Sequence, residues 1–193
     1  MKKEYESGKF CDDGEGGMGQ LMNISVAVSQ NWGIGYKNEL LFRIREDLAI
    51  FRKRTAGNVV VMGHNTYKSL GMVGGLKNRV NVVLSRGSGL VIPGVVTCDD
   101  LDKLPQLLSA YTGKEIYVIG GDAIYRQLLS SCRKAYVTKV DREPEADTFF
   151  SNIDEMEGWQ IIEKSERKEQ GDLGYTFYTY ENKSYVEFCE KQK

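Results

Sequence analysis

Gly33-Ile-Gly-Tyr-Lys-Asn-Glu-Leu-Leu-Phe-Arg-Ile-Arg-Glu-Asp-Leu-Ala-Ile-Phe-Arg52 is the stretch from which the rest of the chain is best read. It opens as a glycine-bracketed loop and ends with a helical pattern. Within that helix, Asp47 shares a face with Ile50 and Phe51, three and four residues ahead, and Leu48 lies beside it. A carboxylate among apolar side chains has two readings. It is an acid of the first turn that complements the helix dipole, or it is a half-buried acid whose pKa is raised by burial. An acid of the second kind can hold a nitrogen heterocycle by paired hydrogen bonds or deliver a proton.

On either side of this stretch, strand-like and helix-like segments alternate. Asn23 to Ser29 is a β-rich run, and Val59-Val-Val-Met62 is a continuous apolar run of strand length, as expected of a strand buried on both faces. Gly63 follows, and His64-Asn65-Thr66 leads into a helix through Leu70. Arg79-Val-Asn-Val-Val-Leu-Ser85, Val95 to Thr97, Ile116-Tyr-Val-Ile119 and Ala135-Tyr-Val-Thr-Lys-Val140 read as further strands. Between them, Asp99-Asp100 caps a helix with Leu101, Leu104, Leu107 and Leu108 on its inner face, and Asp122 opens another. Trp159 to Ser165 and Tyr175 to Tyr180 read as two strands joined by a turn at Gly171 to Gly174. The fold class expected is α/β: a single domain over residues 22–181 with a central, mainly parallel mixed sheet, helices on both faces and an antiparallel C-terminal hairpin. Residues 1–21, charged and glycine-rich without an apolar period, are expected to form a flexible arm or leader, and residues 182–193 a charged tail.

Composition narrows the function. With 26 Lys and Arg against 27 Asp and Glu, the chain has no basic excess to suggest a nucleic acid partner. No apolar run is long enough for a transmembrane helix, so no membrane partner is expected. The four cysteines, Cys11, Cys98, Cys132 and Cys189, form no Cys-x-x-Cys pair, and a metal site is not expected. A reducing cytoplasm is the simplest setting. The lone histidine, His64, rules out a histidine-rich metal site.

Several polar or glycine positions fall at strand ends, where open α/β sheets bind their ligands. Gly120-Gly121 permits close backbone approach, and Gly63 to Thr66 and Ser85-Arg86 repeat the pattern after two other strands. Each taken singly is an ordinary turn or solvated loop; three in one sheet point to a long, multiply phosphorylated ligand such as a dinucleotide. Neither the P-loop nor the Rossmann fingerprint is present. Arg79, at a strand start, is either a surface arginine or a fixed fork for a carboxylate.

The order of these motifs resembles dihydrofolate reductase. The matching pieces are Asn31-Trp-Gly-Ile-Gly-Tyr-Lys-Asn38, Asp47-Leu-Ala-Ile-Phe51, Val60-Val-Met-Gly-His-Asn-Thr66, Arg79 to Ser85, Val118-Ile-Gly-Gly121 with Tyr125, Tyr136-Val-Thr138 and Asp147-Thr-Phe-Phe150. The resemblance runs from residue 23 to about residue 180 and implies reduction of 7,8-dihydrofolate to tetrahydrofolate by NADPH in a monomer sensitive to antifolate inhibitors. It implies that Asp47 and Thr138 are the catalytic pair, with Asp47 on the 2-amino group and N3 of the pterin. It also implies that Leu48, Phe51 and Leu70 pack on the substrate rings and that Arg79 takes the α-carboxylate of the glutamate tail. For the cofactor it implies Ala27 and Ile34 at the carboxamide, and Gly35 to Leu40, including Asn38, as a closing loop. Ile119 and Tyr125 would line the nicotinamide pocket, and Gly120 and Gly121 would approach the pyrophosphate with Thr66 nearby. His64, Ser85 and Arg86 would surround the adenosine 2′-phosphate, and Gly63, Asn65 and Asp122 would also bind the cofactor. The family has a cis peptide at the Gly120-Gly121 position.

Three features depart from the family pattern. Leu41-Phe42 stands where Pro-Trp is usual, and Phe42 has no N–H with which to hold a water. Gly71-Met-Val-Gly-Gly75 replaces a proline-rich loop, and His64 stands where arginine is common, which makes the phosphate grip softer and more pH-sensitive. Two other readings compete: a same-fold reductase of a ribosylaminopyrimidine in riboflavin synthesis, and a non-catalytic dinucleotide-binding module.

Overall fold

The computed structural model describes residues 21–87 and 89–188. The arm expected over residues 1–21 lies outside the described residues apart from Leu21, as does the end of the tail. In chain order the elements are β1 (Met22–Val28), β2 (Gly33–Tyr36), β3 (Glu39–Leu40), α1 (Arg45–Thr55), β4 (Val59–Gly63) and α2 (His64–Ser69). These are followed by β5 (Val80–Leu84), β6 (Val96–Cys98), α3 (Leu104–Ser109), β7 (Ile116–Val118), α4 (Asp122–Leu128) and β8 (Cys132–Val140). The chain continues through β9 (Thr148–Phe149), β10 (Trp159–Lys164), β11 (Lys168–Gln170) and β12 (Leu173–Asn182). Short 3₁₀ turns precede α3 and follow α4.

The main sheet runs β10-β12-β8-β1-β7-β4-β5-β6, with β11 also paired to β12. Pairings from β8 across to β6 are parallel; those of β12 with β8, β10 and β11 are antiparallel. The carboxyl ends of the parallel strands therefore share one edge. Alternation along β4 shows how both faces are covered. Val59 and Val61 enter a cluster with Leu104 and Leu108 of α3 and Leu128 of α4. Val60 and Met62 enter a second cluster with Tyr117, Tyr67 of α2 and Leu70. All four β4 side chains are fully buried, which is why the strand reads as an unbroken apolar run.

Three local readings need adjustment. The strand around Ala135 starts earlier, at Cys132, because Cys132 is itself fully buried beside β1. The first strand of the C-terminal hairpin is interrupted, so the Gly171 turn joins β11 rather than β10 to β12. The break is at Ser165, whose N–H donates to Phe177 O while its hydroxyl accepts from Phe177 N. The loop of residues 35–40 is an ordered hairpin of β2 and β3. Its two central residues, Lys37 and Asn38, both have positive φ, the backbone that a tight two-residue hairpin turn requires. β9 pairs on the far side of β2 to form a small second sheet.

Ile24 lies fully buried on β1, the strand joining the two halves of the main sheet. Ile24→Ala should lower unfolding free energy by about 2–5 kcal/mol in a denaturant titration, and Ile24→Val by about 0.5–1.5 kcal/mol.

Candidate active site

A continuous cleft of about 1770 Å³ follows the carboxyl edge of the parallel strands, from Thr148 of the small sheet to Asp99 beyond β6. Its wall nearest the antiparallel half is α1, which presents Asp47, Leu48, Phe51 and Arg52 to the space. Asp47 is held from below by the sheet: Thr138 Oγ1 of β8 donates to Asp47 Oδ1 at 2.5 Å. Thr138 is 3% exposed and lies between Ala27 of β1 and Phe177 of β12 in the register, so its position is fixed on both sides. Burial pushes the Asp47 carboxyl above the usual aspartate range; the Thr138 hydrogen bond and the positive charge of Arg54 oppose that shift without cancelling it.

The preceding residue shows how much the environment decides. Glu46 points to the other side of the helix, where the ammonium of Lys168 and the Tyr175 hydroxyl both bond its carboxylate. The Lys168 hydrogen bond, then that of Tyr175, hold Glu46 below the usual glutamate range. Neighbouring acids on one helix thus diverge, one anchored as an anion and one half-sheltered on a cleft.

At the outer end of α1, Arg79 is tied down by Nε to Thr55 Oγ1 at 2.7 Å, Nη1 to Lys77 O at 2.5 Å and Nη2 to Arg52 O at 3.0 Å. A guanidinium has five N–H groups, so two remain to meet an acceptor in the cleft. Burial, and then the charge of Arg52, lower its pKa, so an anion placed there would be favoured. Leu48, exposed at 39%, Phe51 and Leu70 make the apolar walls between Asp47 and Arg79.

The other part of the cleft is shaped by glycine. Gly120-Gly121 is a cis peptide, and Gly120 has φ +123°, a conformation that side-chain-bearing residues rarely adopt. A Cβ on Gly120 would lie 3.3 Å from Thr66 Oγ1, and one on Gly121 would lie 3.2 Å from it. Bare backbone at both positions therefore sits close to the Thr66 side chain. Gly63 N–H donates to Gly120 O at 2.7 Å, binding the end of β4 to the turn after β7. Tyr125, buried in α4, donates its hydroxyl to Ser25 O at 2.9 Å and braces the same turn from behind. Ile119, whose N–H is bonded to Val61 O, leads into the turn.

Every residue that the resemblance assigns to the site lines this cleft except Thr138, which is joined to it by its hydrogen bond to Asp47. The set near α1 is Asp47, Leu48, Phe51, Leu70 and Arg79. The other set is Ala27, Ile34, Gly35, Asn38, Leu40, Gly63, His64, Asn65, Thr66, Ser85, Arg86, Ile119, Gly120, Gly121, Asp122 and Tyr125. Ile50, read as sharing the face of Asp47, does not line it. The hairpin carrying Gly35, Asn38 and Leu40 is clamped from outside, Asp147 Oδ2 accepting from Lys37 N at 2.8 Å. Met72 and Val73, exposed at 50% and 94%, also reach the cleft and were not singled out. Their signal was present, two large apolar residues inside a glycine loop, but a loop pattern says nothing of which cavity it borders.

A family model described as dihydrofolate reductase matches residues 21–182. The dihydrofolate reductase of Buchnera aphidicola subsp. Baizongia pistaciae is 37% identical over 159 residues, covering 81% of this chain and 94% of that protein. The enzyme of the same name from Haemophilus influenzae is 34% identical over 139 residues, 72% of this chain and 83% of its own length. That from Bacillus subtilis is 31% identical over 167 residues, 85% of this chain and 96% of its own. With the family model spanning the whole sheet and the cleft at its edge, this chain belongs to the dihydrofolate reductase family.

Proposed function

We propose that this protein reduces 7,8-dihydrofolate to 5,6,7,8-tetrahydrofolate with NADPH, adding hydride at C6 and a proton at N5. The observation that carries this reading is the half-sheltered Asp47 carboxyl, hydrogen-bonded by Thr138 and facing an apolar cleft. In this role Asp47 holds the 2-amino group and N3 of the pterin and eases the arrival of the N5 proton through water. Leu48, Phe51 and Leu70 pack on the substrate rings, and the two remaining N–H groups of Arg79 take the α-carboxylate of the glutamate tail. Arg79 favours this substrate over a ribosylaminopyrimidine, which has no such carboxylate.

Family membership implies a dinucleotide cofactor, and the residues at the glycine end of the cleft suit one. With no side chain at Gly120 or Gly121, where a Cβ would crowd Thr66 Oγ1, a pyrophosphate in the cleft can approach the main chain closely. Ala27 and Ile34, with Ile119 and Tyr125, bound the space for the nicotinamide, and Gly35, Asn38 and Leu40 cover it. Gly63, Asn65 and Asp122 frame the phosphates. His64, Ser85 and Arg86 lie together beyond Gly63; neither His64 nor Arg86 has an ion pair among the described residues, and a 2′-phosphate would give both a partner, which is the reason for preferring NADPH. When bound, the reduced nicotinamide supplies the hydride. We assign the reaction to residues 22–181 acting as one domain. A monomer, cytoplasmic residence and binding of antifolates complete the proposal.

Loss of NADPH absorbance with dihydrofolate present tests the activity. Asp47→Asn should retain the fold but lower turnover about 100-fold or more, the scale of a general acid–base contribution; near-normal turnover at neutral pH would refute the role. The same variant has a stability signature. Burying the anion costs nothing below the unfolded-state pKa, where aspartate is neutral in both states, and the full cost appears above the raised folded-state pKa. Asp47→Asn should therefore match the parent in acid and melt higher at pH 7 in parallel thermal scans. Arg79→Leu should raise the Kd of glutamate-bearing folates about tenfold or more and leave tail-less pterins within about twofold; equal weakening of both would assign Arg79 another task.

A further inference from the structure

Helix α1 has a poor start. Its N-cap is Ile44, which has no side-chain oxygen to receive the free N–H groups of the first turn. The acceptor comes from far along the chain. Gln170 Oε1 accepts from Arg45 N at 2.7 Å, and Gln170 Nε2 donates to Arg43 O at 3.1 Å. One amide side chain thus bridges the residues on either side of Ile44, which is 1% exposed and seals the space beneath with Val140 and Tyr175. This is the junction between the β2–β3 hairpin that covers the cleft and the helix that carries Asp47.

The neighbours of Gln170 belong to the same grip. Side chains two residues apart on a strand share a face, so Lys168 and Gln170 project from β11 toward α1. Tyr175 lies opposite Lys168 in the register, and both bond Glu46. Glu169, on the other face, pairs with Arg167 instead. The short β11–β12 hairpin therefore holds the chain at Arg43, just before α1, and at Arg45 and Glu46 in its first turn, one residue short of Asp47.

We propose that Gln170 is a positioning residue for Asp47: it caps α1 from the β11 strand and fixes the angle at which the Asp47 carboxyl meets the substrate. The proposal rests on the reading of Asp47 as the pterin-holding acid. A selective kinetic signature follows, because among the described residues no hydrogen bond joins the Gly120-Gly121 turn directly to this cap.

The test compares Gln170→Met, which keeps length but loses both hydrogen bonds, with Gln170→Glu, which keeps an acceptor for Arg45 N and adds a charge favoured at a helix start. Gln170→Met should raise the dihydrofolate KM about fivefold to tenfold and leave the NADPH Kd within about twofold, the scale of one or two lost hydrogen bonds. Gln170→Glu should restore most of the loss. Amide exchange at Arg45 should be about tenfold faster in Gln170→Met, with the β4 and β7 amides unchanged. An unchanged dihydrofolate KM, equal weakening of both ligands, or unchanged exchange at Arg45 would each overturn the proposal. Absence of dihydrofolate turnover in the unsubstituted protein would instead refute the functional reading, and the exchange result would still decide whether Gln170 caps α1.

Discussion

The hydrogen bond from Thr138 to Asp47 is the constraint around which this structure is arranged. It links a helix that begins at the rim of the cleft to a strand at the middle of the sheet, across 91 residues of chain. An acid placed there loses hydration, and one hydroxyl returns only part of what water supplied. The fold accepts the cost because β8 is locked on both sides, by β1 and by β12, so the hydroxyl cannot follow the acid outward. The strand thus fixes where the acid sits, while burial raises its pKa and the Thr138 hydroxyl draws it only part of the way back.

The other end of the cleft solves a different problem. There the requirement is space next to the main chain, and it is met at Gly120 and Gly121 after one strand and Gly63 after its neighbour. The hydrogen bond from Gly63 N to Gly120 O draws these two strand ends together, so any side chain between them would have to displace Thr66 or Ile124. One end of the site is therefore made specific by a buried polar contact and the other by absent side chains.

These two devices left different traces in the sequence. The glycines, the apolar run of β4 and the acid among apolar helix residues are local, and each announces a backbone or burial requirement within a few residues. The mainly parallel α/β class followed from those local signals taken in sequence; the strand order did not, and the grouping of the named residues into one site came from the resemblance to dihydrofolate reductase. The grip of Gln170, Lys168 and Tyr175 on α1 was not legible. It joins residues more than 120 positions apart, and nothing in Lys-Glu-Gln distinguishes a helix clamp from a solvated strand. The small β3-β2-β9 sheet escaped notice for a related reason. Its strands are two to four residues long, too short for any periodicity to register.

Phe42 shows how a departure from the family pattern bears on the central constraint. It packs on the cluster of Ile44, Val140 and Tyr175 and also lines the cleft, so the apolar wall beside Asp47 is intact. What the phenyl ring lacks, relative to an indole, is a hydrogen-bond donor. Among the described residues Thr138 is the only side chain that donates to Asp47, so support for the carboxylate comes from one hydroxyl and from the distant charge of Arg54. Burial outweighs both, and the acid is held toward its neutral form. In this chain the protonation of Asp47 is therefore set chiefly by how well α1 keeps it out of water, which makes the placement of that helix a chemical matter as well as a structural one.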